Sequence, residues 1–173
     1  MKIELYKKVF NQYFNDKKFF KDFHDSIQII EKSKRIFFIG NGGSNAISSH
    51  MAEDYMKIGK KPTFSFSDGA LITCFSNDYG YENAMKEWVS NHFQEGDLLI
   101  AISSSGESKN IINATKYFNK IGGQSITLTG FIENNTLSSL GLINFYINSD
   151  SYGIVECFHE IILHSLLDQF SSN

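Results

Sequence analysis

The chain has 173 residues, enough for one domain with a substantial core and too few for two ordinary ones. Hydrophobic residues make up 42% and charged residues 20%, which excludes wholesale disorder. A formal net charge of −3 provides no cationic field of the kind that draws a protein to nucleic acid or to an anionic membrane, so neither partner is expected.

In chain order, the first 33 residues read as amphipathic helix. Phe20, Phe23, Ile27 and Ile30 recur at three-to-four spacing, and Asn15 or Asp16 breaks the stretch in two. The opening MKIELYKKVFNQYF mixes charges with apolar residues and lacks an apolar h-region and cleavage site, so no signal peptide and a cytoplasmic location are expected. No run of about 18 apolar residues offers a membrane span. Arg35 to Ile39 is a short apolar run that ends in Gly40-Asn41-Gly42-Gly43-Ser44 and passes into helix from Asn45 to Lys57, the pattern of strand, tight turn and helix. Thr63 to Ser67 predicts a second strand, with Asp68 capping a short helix after it. A loop, Ser76 to Gly80, leads into a helix through Trp88.

Asp97 to Ile102 predicts a third strand that runs into Ser103-Ser104-Ser105-Gly106-Glu107-Ser108 before a helix to Ile121. Gln124 to Leu128 and Ile143 to Ile147 supply two more strands, and Ile154 to Phe170 a closing helix. Strands alternating with helices imply a parallel sheet covered on both faces, because each parallel crossover needs a helix. The expected architecture is α/β, a three-layer αβα sandwich around a five-stranded parallel doubly wound sheet. It forms a single domain over 1–173, with N-terminal helices over 1–33 and the α/β core over 34–173. In such sheets ligands bind beyond the carboxyl ends of the strands, where both Gly/Ser loops fall. Cys74 and Cys157 lie outside any CxxC pattern and are expected to be free buried thiols. The 16 phenylalanines are expected to fill the core, with some in a subunit interface.

The two loops carry the most specific chemistry. Glycines let the backbone approach an anion, the following helix aims free N–H groups at it, and hydroxyls add donors. Ser103, Ser104, Ser105 and Ser108 place four serines within six residues, with Ser44 offered from the other loop. A serine after a strand often does no more than cap a helix. Four of them ending one apolar strand favour a phosphate. Nucleotide readings fit less well: the first loop lacks the GK[ST] ending of a P-loop, and Asn45 replaces the third glycine of G-x-G-x-x-G, although Asp68 sits where a ribose-binding acid would.

For proton transfer, His50 and Asp54 share one helix face, and Glu156, Glu160 and His164 recur at multiples of four on the last helix. If the two faces meet, they form a proton-transfer pair or a site of two imidazoles and two carboxylates suited to zinc or a similar divalent ion. Taken singly, His50 reads as a helix-surface side chain and His164 as a hydrogen-bonded residue of an apolar helix. Asp78 either orients a sugar hydroxyl or caps the next helix. His92 is expected in solvent.

GNGGS, followed by His50-Met51-Ala52-Glu53-Asp54, then SNDYGY, ISSSGES and LTG, resembles the bacterial phosphoheptose isomerases of the sugar isomerase (SIS) fold. The resemblance runs from Arg35 to the C-terminus. It implies conversion of sedoheptulose 7-phosphate to D-glycero-D-manno-heptose 7-phosphate for heptose in lipopolysaccharide, capsule or another surface glycan. It also implies a homotetramer with sites between subunits and one zinc per site. Carried over by motif, Ser44, Ser103, Ser104, Ser105 and Ser108 hold the phosphate, and Asn41, Gly42 and Asp78 line the sugar. His50, Asp54, Glu156 and His164 match the metal positions, with Asp54 and His164 catalytic, or Glu53 as base if the helix is rotated. Three residues depart from the family pattern: Asp54 stands for a glutamate, Glu156 for a glutamine, and Gly153 for a sugar-contacting aspartate. They keep open an isomerase of another sugar phosphate, or a non-catalytic binding protein of the same fold, such as a regulator that contacts a replication initiator.

Overall fold

The computed structural model describes residues 3–171, so the outermost two residues at each end, part of the expected 1–33 helical segment among them, lie outside the described residues. Helix α1 spans Ile3–Tyr13 and α2 spans Lys17–Lys32. Asp16 divides them as expected: it takes an extended conformation, and its carboxylate accepts from the Lys18 N–H at 2.8 Å.

The alternating part then runs β1 (Ile36–Ile39), α3 (Gly43–Lys57), β2 (Thr63–Ser65), α4 (Gly69–Tyr79), α5 (Tyr81–His92), β3 (Leu98–Ser103), α6 (Lys109–Lys120), β4 (Gln124–Gly130), β5 (Ile143–Ile147) and α7 (Tyr152–Ser171). Asp68 caps α4 by accepting from the Leu71 N–H at 2.9 Å. The loop expected over Ser76 to Gly80 is instead the last turn of α4. Only Gly80, at φ 75°, leaves the helix, because a left-handed φ is the one thing the preceding Asn77, Asp78 and Tyr79 do not have to supply.

The five strands form one all-parallel sheet in the order β2-β1-β3-β4-β5. Strand alternation sorts its side chains between two cores. Ile36 and Phe38 of β1 and Leu98, Ile100 and Ile102 of β3 face a core shared with α2, α3 and α7. Phe37 and Ile39, with Leu99 and Ala101, face a second core built with Trp88 and Val89 of α5 and Ile111 and Phe118 of α6. Both faces are covered, which is why the strands read as continuous apolar runs. Arg35, just ahead of β1, and Asp97, just ahead of β3, clamp the amino ends of these neighbours through guanidinium–carboxylate contacts of 2.9 and 2.6 Å. Burial contradicts one expectation: Cys74 and Cys157 are free thiols, but both are exposed, because Cys74 lies on the outer face of α4 and Cys157 on that of α7.

Candidate active site

The order of the strands decides where the two loops meet. β1 is followed by β2 on one side, while β3 lies on the other, paired from Ile36↔Leu98 to Ile39↔Ala101. The chain reverses direction across the sheet between β1 and β3, and the loops leaving their carboxyl ends open a crevice there. A cleft of about 260 Å³ occupies that crevice. Asn41, Gly42, Gly43 and Ser44 line it from the first loop, Ser103, Ser104, Ser105 and Ser108 from the second, and Tyr152 and Glu156 from the start of α7.

The hydroxyls in the cleft are held without being used up. Ser108 stands at the N-cap of α6, yet its side chain makes no capping bond. Its Oγ instead accepts from Ser103 Oγ at 3.3 Å, while Ser105 Oγ accepts from the Glu107 N–H at 3.2 Å. Ser104 Oγ is buried and has no hydrogen-bond partner among the described residues. A buried hydroxyl in that state costs free energy unless a ligand or water completes it.

Residues that the sequence did not point to, Asn110 and Tyr81 among them, help hold the loops in place. The side-chain amides of Asn41 and Asn110 exchange two hydrogen bonds of 2.9 Å, and Tyr81 Oη donates to Asn41 Oδ1 at 2.8 Å. The first loop is thereby tied to the start of α6, where the second loop ends, and to α5. Gly106, at φ 67°, brings the backbone so close to Asn135 that a Cβ there would lie 2.0 Å from its Oδ1. Glu107 closes the second loop by accepting from Thr136 through both its N–H (2.7 Å) and Oγ1 (2.8 Å).

Beside the cleft, α3 and α7 lie against each other and run the same way, with Gly43 next to Glu156, Tyr55 next to Leu163 and Gly59 next to Phe170. His50 and His164 face each other with ring centroids 5.2 Å apart. Asp54 Oδ2 lies 3.6 Å from His50 Nε2 and 4.0 Å from His164 Nδ1. Glu160 also joins the group, its carboxylate and the two imidazoles offering ligand atoms all within 4.8 Å of one another. Imidazole nitrogen with carboxylate oxygen is a donor set that suits zinc and similar divalent ions.

The expected residues therefore separate into three places. Asn41, Gly42, Ser44, Ser103, Ser104, Ser105 and Ser108 meet in the cleft, and His50, Asp54 and His164 meet beside it. Glu156 is in the cleft and not in the imidazole group: its carboxylate oxygens lie 2.4 and 2.5 Å from where a Cβ on Gly43 would be. The start of α3 favours a negative charge there. Glu53 points elsewhere, into a groove with Met56, Phe64 and Trp88, which leaves Asp54 as the α3 carboxylate facing the imidazoles. Asp78 is exposed near the end of α4, its carboxylate taken up by Asn77 and Cys74, and it does not line the cleft. His92 is exposed, as expected, with Nδ1 held 2.8 Å from the Trp88 carbonyl. Gly153 opens the first turn of α7 with little around it, where a Cβ would meet only the Tyr6 hydroxyl at 2.9 Å.

The site residues lie on a framework shared with proteins already known. Residues 25–130 match the SIS domain family. A phosphoheptose isomerase of Fusobacterium nucleatum subsp. nucleatum is 34% identical over 145 residues, covering 81% of this chain and 74% of its own. One from Aliarcobacter butzleri is 30% identical over 147 residues, covering 82% and 77%. In three dimensions, the phosphoheptose isomerase of Neisseria gonorrhoeae superimposes with a TM-score of 0.89 over 99% of this chain and 95% of its own, at 21% identity. With the family model over most of the core and relatives above 30% identity along most of the chain, the protein belongs to the SIS-domain family, among the phosphoheptose isomerases.

Proposed function

We propose that the chain is an aldose–ketose isomerase converting sedoheptulose 7-phosphate to D-glycero-D-manno-heptose 7-phosphate, for heptose units of a surface glycan. The observation that carries this reading is the meeting of two hydroxyl-rich loops at one cleft, with an imidazole–carboxylate group on the adjoining helices. The serine hydroxyls and the free N–H groups at the start of α6 would take the phosphate, as helix starts do for anions. The sugar chain then extends toward α3 and α7. Asp54 would take a proton from C1 of the ketose and return it to C2 through an enediol. His164 would move the matching proton from the C1 oxygen to the C2 oxygen, so that the carbonyl shifts from C2 to C1.

His50, Asp54 and His164 would hold a zinc ion in this reading. When bound, the ion supplies positive charge opposite the developing negative charge of the substrate oxygens. A homotetramer and a cytoplasmic location belong to the same proposal. Exposed apolar residues on α1, α2 and the turn between them, Phe10, Phe14 and Phe20 among them, support self-association.

The test is incubation of the purified chain with sedoheptulose 7-phosphate, with and without chelator, while the aldose product is followed. Turnover is expected, and Asp54→Asn is expected to lower it by roughly 10²–10⁴-fold, the usual worth of a positioned acid–base group, while leaving sugar-phosphate binding measurable. Binding without turnover in the parent chain would replace this reading with that of a non-catalytic sugar-phosphate-binding protein.

A further inference from the structure

We infer that Glu160 is a metal ligand of this chain, completing a divalent-cation site with His50, Asp54 and His164, while Glu156 belongs to the sugar-phosphate cleft. The inference deepens the isomerase reading and rests on it for what the ion would do. The site itself rests on geometry.

Two helices each contribute a histidine and a carboxylate four residues apart: His50 and Asp54 from α3, Glu160 and His164 from α7. Such pairs share a helix face, and here the two faces oppose each other. Ligand atoms of His50, Glu160 and His164 lie within 4.8 Å of one another, and Asp54 reaches both imidazoles at 3.6 and 4.0 Å. A tetrahedral zinc with bonds of about 2.0–2.2 Å spaces its donors roughly 3.3–3.6 Å apart, so shifts of about 1 Å bring the ligand atoms of His50, Glu160 and His164 onto one ion, with the Asp54 carboxylate beside them. Two carboxylates balance the charge of a divalent cation. Among the described residues no lysine or arginine pairs with Asp54, and Glu160 makes no ion pair, so neither carboxylate has a fixed cation of its own.

The alternative carboxylate, Glu156, is at the wrong height. It rests against Gly43, the first residue of α3, whereas His50 lies seven residues further along, about 10 Å at 1.5 Å per residue. One turn of α7 separates Glu156 from Glu160, and that turn carries the second of them to the imidazoles. The Tyr55 hydroxyl, adjacent in sequence to Asp54, donates to the carbonyl of Leu163, adjacent to His164, at 2.9 Å. That buried bond fixes the height of one helix against the other, so the donor set is held by the core of the protein.

The experiment is calorimetric titration of the metal-stripped full chain with Zn²⁺ alone, comparing the parent with Glu160→Gln, Glu156→Gln and His164→Ala. Glu160→Gln and His164→Ala are expected to weaken Zn²⁺ by roughly 100-fold or more, beyond the usual cost of losing an outer partner of a ligand, with Glu156→Gln binding like the parent. Co²⁺ gives a second readout: its visible absorption should change in Glu160→Gln and stay the same in Glu156→Gln. Parent-like Zn²⁺ affinity in Glu160→Gln, a larger loss in Glu156→Gln, or no Zn²⁺ binding by the parent would each overturn the inference. Turnover of sedoheptulose 7-phosphate is measured separately. Zinc binding as expected in a chain that turns nothing over would sink the isomerase reading and leave the site standing.

Discussion

Ser104 tests whether a hydroxyl in the cleft is there for binding or for structure. Its Oγ is buried with no partner among the described residues, so in the free protein it adds nothing to stability and carries a desolvation cost. Ser104→Ala is therefore expected to leave thermal stability unchanged or slightly raised, and to weaken a sugar-phosphate ligand by about 10- to 100-fold, the worth of one hydrogen bond to a charged group. Differential scanning fluorimetry and a KM measurement check the two halves. His159 makes the opposite case, a buried polar group with no place in the proposed chemistry. Fully buried on α7, its Nε2–H donates to the Thr129 carbonyl at 3.2 Å while Nδ1 has no partner among the described residues. Burial disfavours the imidazolium and pushes the pKa down to about 4 from the ordinary 6.5. Because the unfolded chain takes up this proton first, stability is intact above pH 6.5, falls as the pH drops toward 4, and levels off below. The loss is roughly 3 kcal/mol. His159→Gln, which keeps a donor toward Thr129, should remove that part of the pH dependence, seen as urea midpoints at pH 7 and pH 4.5 that differ less than in the parent.

At the scale of elements, the site depends on how α3 lies against α7. Tyr55 is the pin: its ring packs edge-on against Phe38, and its hydroxyl holds the Leu163 carbonyl in a setting that raises its own pKa by desolvation. Tyr55→Phe is expected to cost about 1 kcal/mol in denaturant unfolding, and more if the Leu163 carbonyl finds no water. It should weaken Zn²⁺ as well, because the two halves of the donor set come from the two helices it joins. The same scale shows what periodicity can and cannot tell. A spacing of four places Glu156, Glu160 and His164 on one stripe of α7, but a stripe is a direction around an axis and says nothing of height. Which carboxylate meets His50 depends on the axial offset of two packed helices. The loop expected before Gly80 gives way for a related reason: Asn and Asp favour turns, but an uninterrupted helix hydrogen-bond ladder outweighs that preference until a glycine ends it.

At the scale of the whole molecule, the apolar side chains left on the outside of α1 and α2 bear on assembly. Ile3, Leu5, Phe10, Phe14 and Phe20 are all at least 39% exposed, an unusual load for two adjacent helices and the turn that joins them. Light scattering coupled to size exclusion is expected to give a tetramer, and a strictly monomeric species would count against sites shared between subunits. The sheet order also explains why two similar Gly/Ser loops open onto a single cleft. Both loops leave neighbouring strands at the place where the chain turns back across the sheet.

The alternation of short apolar runs with helical stretches was enough to determine five parallel strands under two helical layers, because strands buried on both faces can hardly be written any other way. The loops were legible too, since glycine and serine in that density after a strand have few other uses. Only the folded chain decided which polar groups lie together: that Asp54 and not Glu53 faces the imidazoles, that Glu160 joins them while Glu156 stays at the start of α3, and that Asp78 does not line the cleft of its own chain. Those outcomes depend on distances across packed elements, which local spacing along one chain does not encode.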